Sequence, residues 1–92
     1  ISSNVKIRNH IIINYNSVIG HDTIINDNVI INPGIVVGGN VIVNERVIIG
    51  ANSFILQGKT IGADSTIDAM TYIDKDIDSR KILSNRNLNI YP

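Results

Sequence analysis

The chain has 92 residues, with eight basic and eight acidic side chains, so its formal charge is zero. That length bounds it to one domain, and a balanced charge without a basic run along the repeats argues against nucleic acid or an anionic membrane as main partner. Apolar residues are interrupted every few positions, so neither a transmembrane span nor a signal peptide is expected, and zero cysteines exclude disulfides and thiolate metal sites, which fits a reducing cytoplasm.

Taken in order along the chain, every sixth residue is isoleucine or valine: Ile1, Ile7, Ile13, Ile19, Ile25, Ile31, Val37, Val43, Ile49, Ile55, Ile61, Ile67 and Ile73. A period of six fits neither an α-helix nor one long strand. It is the signature of a hexapeptide-repeat parallel β-helix. Three six-residue sides close one triangular coil, so residues 1–78 are predicted to form a domain of a little over four coils. The residue after each aliphatic is Gly, Asn or Asp in ten of the thirteen cases, which predicts bends at that column. Two places before each aliphatic stand small or β-branched residues such as Val5, Ile11, Ser17, Thr23, Val29 and Ile35, suited to a narrow pleated interior, with Lys59 the exception.

The column just before each aliphatic points outward, because neighbours on a strand alternate. It holds Ile12, Val18, Ile24, Ile30, Val36, Ile42, Ile48 and Phe54 in succession, an apolar surface that needs a cover. A three-sided prism with such a surface predicts a homotrimer. From Ser79 the six-residue phase is lost, and residues 79–92 carry Arg80, Lys81 and Arg86 with no acidic residue. This tail is expected to cap the last coil, whose strand edges need covering. The chain starts on a repeat aliphatic without an initiator methionine, so it is expected to be the C-terminal part of a longer protein.

Two histidines bear on chemistry. His10 ends Ile7-Arg8-Asn9-His10, and His21 lies in Ile19-Gly20-His21-Asp22. Their spacing puts them on different sides of the prism, which excludes a three-histidine metal site within one chain; no metal is expected. His21 is the better catalytic candidate, since a histidine oriented by a carboxylate is the usual general base near neutral pH. Adjacent residues on a straight strand point apart, so the His21–Asp22 pairing requires a corner. The residues alone leave His21 open as base or as surface turn residue.

The stretch Ile12-Ile13-Asn14-Tyr15-Asn16-Ser17-Val18-Ile19-Gly20-His21-Asp22-Thr23-Ile24 resembles the active-site segment of bacterial hexapeptide acyltransferases that modify sugars. It is most similar to the sialic-acid O-acetyltransferase family and to the N-acetyltransferases acting on nucleotide-linked amino sugars. Ile31-Asn32-Pro33-Gly34, Gly38-Gly39-Asn40-Val41 and Ile48-Ile49-Gly50-Ala51-Asn52-Ser53 extend the likeness over roughly residues 5–75. The resemblance implies an all-β, left-handed parallel β-helix and transfer of an acetyl group from acetyl-CoA to an amine or hydroxyl of a sugar or nucleotide sugar. It implies His21 as general base at a subunit interface, Asp22 as its orienting group and Asn14 as a substrate or histidine contact. Backbone near Gly39, Ala51 and Ala69 would hold the pantetheine arm of acetyl-CoA. The chain departs from the family at Ile30, where some relatives have a second histidine. Asp68-Ala69-Met70-Thr71 replaces a Gly-Ala-Gly-Ala run, and the terminal Gly-x-Pro-Ala segment is missing. A trimerising β-helix module with a degraded acyl-CoA site is the alternative these departures favour, and another acyl donor or acceptor on the same scaffold is a third.

Overall fold

Each repeat commits only two residues to strand, an outward one and the inward aliphatic, before the chain turns. The computed structural model describes residues 1–84. Its strands are β1 (Lys6–Ile7), β2 (Ile12–Ile13), β3 (Val18–Ile19), β4 (Ile24–Ile25), β5 (Ile30–Ile31), β6 (Val36–Val37), β7 (Ile42–Val43), β8 (Ile48–Ile49), β9 (Phe54–Ile55), β10 (Thr60–Ile61), β11 (Thr66–Ile67), β12 (Tyr72–Ile73) and β13 (Ile82–Leu83). Every third strand is a neighbour in space, giving three parallel sheets: β1-β4-β7-β10, β2-β5-β8-β11-β13 and β3-β6-β9-β12. Lys6 lies opposite Ile24, and Ile24 opposite Ile42, so one coil takes eighteen residues. The protein is a parallel β-helix of hexapeptide repeats with roughly four coils. No helix among the described residues is long and apolar enough to cross a membrane.

The two interior columns behave as their composition requires. Repeat aliphatics from Ile19 to Ile73 are fully buried, and Val29, Ile35, Val41 and Val47 fill the second column beside them. At Ser17, Thr23, Ser53 and Ser65 that column carries a hydroxyl that bridges two backbone atoms of the next coil. Thr23 Oγ1 donates to the Gly38 carbonyl at 3.0 Å and accepts the Val41 N–H at 3.3 Å. Ser53 does the same with the Asp68 carbonyl (3.0 Å) and the Thr71 N–H (3.2 Å). Burial of these polar groups is therefore compensated, as it must be in an apolar core.

The bends fall elsewhere than predicted. Positive φ occurs at the third residue after each aliphatic from Ile1 to Ile67: Asn4, His10, Asn16, Asp22, Asn28, Gly34, Asn40, Arg46, Asn52, Gly58, Asp64 and Met70. The Gly/Asn/Asp column directly after the aliphatic serves the contact between coils instead. A Cβ on Gly20, Gly38 or Gly50 would come within 2.7 Å of backbone atoms one coil on. In the same column Asn14 and Asn32 donate to the carbonyls of Ile31 and Ile49 at 3.2 and 3.0 Å.

The loss of phase at the C-terminal side proves to be a shift of two residues, at least as far as Leu83. After Ile73 the next inward aliphatic is Ile77, which is 5% exposed and bridges to Ile61. The shortened corner is closed by Asp76, whose carboxylate accepts the Thr60 N–H at 2.9 Å. Six-residue spacing then resumes, Leu83 packs on the core, and β13 pairs with β11. Of the tail expected to cap the helix, residues 85–92 lie outside the described residues.

Outward residues differ from face to face. The β3-β6-β9-β12 face presents Val18, Val36, Phe54 and Tyr72, with the last two rings 5.6 Å apart and tilted by 49°. The neighbouring face presents Ile12, Ile30, Ile48, Thr66 and Ile82. Val18, Tyr72, Phe54 and Ile48 are between 40% and 52% exposed in the single chain, far from core-like.

Candidate active site

The candidate site is the corner between β3 and β4, Gly20-His21-Asp22-Thr23. It is built by stacking. Ser3-Asn4, His21-Asp22, Gly39-Asn40 and Gln57-Gly58 lie one above another, joined by backbone bonds from Asp22 N–H to the Ser3 carbonyl (3.1 Å), Asn40 N–H to the His21 carbonyl (2.8 Å) and Gly58 N–H to the Gly39 carbonyl (2.9 Å). Thr23, through its two bonds to the next coil, pins the far end of this turn.

Asp22 sits in the left-handed region, at φ 57°. That conformation turns its side chain to the same side as the imidazole, which a straight strand would not allow. His21 Nδ1 and Asp22 Oδ2 are 2.9 Å apart. The other carboxylate oxygen accepts a hydrogen bond from Asn4 Nδ2, one coil back. The bond from His21, and after it the bond from Asn4, holds the Asp22 carboxyl below its ordinary value of 3.8. At neutral pH the carboxylate is an acceptor only, so the proton between the two groups belongs to Nδ1, and the neutral ring keeps its lone pair on Nε2. The His21 and Asp22 side chains are 53% and 44% exposed, leaving the dyad open to solvent in a single chain.

Gly39 shapes the other side of the ring. A Cβ there would lie 2.5 Å from His21 Nε2 and 2.8 Å from Cε1, so the imidazole occupies the space that any side chain at that position would need. Gly39, which the resemblance links to the acyl donor, lies under the His21 ring at this corner. Asn14 lies at the preceding corner, half-buried and tied to the Ile31 carbonyl, and within the chain it is not brought to His21. Ala51 and Ala69 belong to that same preceding corner, where the Ala51 carbonyl accepts the Met70 N–H at 2.8 Å. The expected site residues thus divide between the two edges of one face, whose surface is Val18, Val36, Phe54 and Tyr72. His10 stands at the third corner, away from both. Asn4 went unread in the sequence. Stepping back one coil from Asp22 is the signal that finds it.

Residues 22–57 match the family described as bacterial transferase hexapeptide (six repeats). A search of curated proteins gives no match. Among solved structures, serine acetyltransferase isoform 3 from Entamoeba histolytica, determined in complex with cysteine, aligns with 22% identity and a TM-score of 0.47. The alignment covers 87% of this chain, which spans only 38% of the serine acetyltransferase chain. The matched stretch, residues 22–57, is the middle of the β-helix and runs from the His21-Asp22 corner through β9.

Proposed function

We propose that this protein is an acyltransferase that moves an acetyl group from acetyl-CoA to an amine or hydroxyl of a sugar or nucleotide sugar, with His21 as general base. The observation that carries the reading is the 2.9 Å contact between His21 Nδ1 and Asp22, which leaves Nε2 as the basic nitrogen at an exposed corner. In this reading Nε2 takes the proton as the acceptor nitrogen or oxygen bonds to the acetyl carbonyl carbon. Collapse of the adduct breaks the carbon–sulfur bond, and the departing thiolate of CoA receives that proton from the imidazolium. No covalent enzyme intermediate is needed, since holding both substrates together lowers the barrier directly.

The Val18–Val36–Phe54–Tyr72 face is apolar, with Val18, Phe54 and Tyr72 exposed and Val36 half-buried, and the small side chains of Ala51 and Ala69 at its far edge suit a thin pantetheine arm. Gly39 contributes through the ring that covers it. The proposed assembly is a homotrimer, whose neighbouring chain supplies the second wall of the site and the surface against which Asn14 meets substrate.

The test is calorimetric binding of acetyl-CoA, together with thioester cleavage in the presence of amino-sugar acceptors, on the wild type and on His21→Ala. The expected result is donor binding by both proteins, with turnover lower in the variant by about several hundred-fold. Equal turnover would remove His21 from the mechanism. A wild type that binds no acyl-CoA would favour a trimerising module without a donor site.

A further inference from the structure

The described His21-Asp22 dyad has a third member. Asn4 stands one coil before Asp22 on the same corner, and its side-chain amide donates to the carboxylate oxygen that His21 does not use. Of the other residues stacked at this corner, Ser3, Gly39, Asn40, Gln57 and Gly58 carry no charge and Lys59 is a cation, and among the described residues the side chains that donate to this carboxylate are the Asn4 amide and the His21 imidazole. We propose that Asn4 is a positioning residue: it fixes the Asp22 carboxylate so that the proton of neutral His21 stays on Nδ1 and Nε2 is the nitrogen available to a substrate. The inference rests on the reading of His21 as general base for its consequence in catalysis, but not for its consequence in the imidazole itself.

The physical argument is one of freedom. Asp22 is nearly half exposed, and a carboxylate held only by an imidazole can rotate into water and release it. A free neutral imidazole places its proton mostly on Nε2, the form in which that nitrogen is no base. With both carboxylate oxygens engaged on opposite sides, rotation would break two hydrogen bonds at once. Asn4 itself is held at φ 57°, a conformation that asparagine tolerates better than most side chains, so amide and backbone demands coincide there.

Two variants separate the donor from the backbone. Asn4→Gly keeps the positive φ at little strain and removes the amide. Asn4→Asp keeps the shape and replaces the donor by a second carboxylate. Nitrogen chemical shifts of His21, read by two-dimensional NMR in the full chain at slightly alkaline pH, report which ring nitrogen carries the proton. The wild type is expected to show the Nδ1–H form in excess, and both variants a clear rise in the Nε2–H form. Acetyl transfer should fall about tenfold in kcat with KM little changed, a small part of the loss that follows when the carboxylate itself is neutralised. Asn4→Gln, which keeps the amide, should recover part of the Nδ1–H form.

Unchanged nitrogen shifts in both variants, at native circular dichroism, would overturn the proposal. Shifts that move as expected in a protein without acetyl transfer would uphold the role of Asn4 on the ring while removing the catalytic reading of His21.

Discussion

Gly50→Ala isolates the physical reason for glycine in this β-helix. The new methyl carbon would lie 2.4 Å from Ala69 N, 2.6 Å from the Asp68 carbonyl carbon and 2.7 Å from Ala69 Cα, all backbone atoms of the next coil. Ordinary contact begins at 3.4 Å, so the coils must part by about 1 Å at that corner, an overpacking that costs about 1–3 kcal/mol. The Gly50 N–H bond to the Ile67 carbonyl, now 2.7 Å, stretches with it and forfeits about 1 kcal/mol more. Against this, alanine restricts the unfolded chain and returns about 0.4–1 kcal/mol, leaving a net loss of about 2–3 kcal/mol. Gly58→Ala is the control. Gly58 has φ 78° and nothing within 4 Å of the added carbon, so its cost of about 1–2 kcal/mol is conformational and partly offset by the same unfolded-state gain. Urea unfolding of both variants at one fixed protein concentration, followed by circular dichroism, should give a much lower midpoint for Gly50→Ala at equal slope. If Gly58→Ala proved the more damaging, the glycines would be serving backbone freedom and the stacking account would be wrong.

Gly39→Ala should behave oppositely to Gly50→Ala: the added carbon meets the His21 ring, a surface side chain that can swing away, so the unfolding midpoint stays close to wild type. Acetyl transfer should nevertheless fall about a hundredfold, since displacing a catalytic group by about 1 Å has that effect; undiminished turnover would remove the ring's seat on Gly39 from the mechanism. Ser53→Ala leaves the buried Thr71 N–H without its acceptor and should cost about 1–3 kcal/mol in urea unfolding, while a loss under a few tenths would mean the coil re-bonds by itself. Asp22 and Asp64 both titrate below 3.8, Asp22 through His21 and then Asn4, Asp64 through the bond from Arg46. A depressed folded-state value stabilises the fold fully above the unfolded value, and the contribution is lost as pH falls through the folded one. Stability contributed by these two groups should therefore hold from neutral pH down to about 4 and decline below it, and Asp64→Asn should flatten part of that decline in acid titrations followed by circular dichroism.

The interior was legible because burial imposes one requirement, a branched apolar side chain, at one interval. The bends were not, because the chain uses the same residue types for two purposes. Asparagine and glycine directly after the aliphatic serve contacts between coils, as at Asn32 and Gly50, while the left-handed column two residues further on includes His10, Arg46 and Met70, which carry no turn signature. The corner pairing of His21 with Asp22 could be anticipated from their adjacency. Asn4 could not, since its relation to Asp22 exists only once the coil length is applied to individual side chains. The step from Ile73 to Ile77 was equally hidden, because a skipped pair of residues reads as an end of the pattern until Leu83 restores it.

The vertical stacking of side chains gives mutational coupling a definite address. A substitution on the outer surface is felt first by the position eighteen residues away, as Asn4 is tied to Asp22 and Arg46 to Asp64 at the corners, and across the shortened corner by the position sixteen away, as Thr66 of β11 pairs with Ile82 of β13. Compensating changes in a library of variants should therefore concentrate at those two separations, and a pair of exchanges designed at either one can be tested without regard to the rest of the chain.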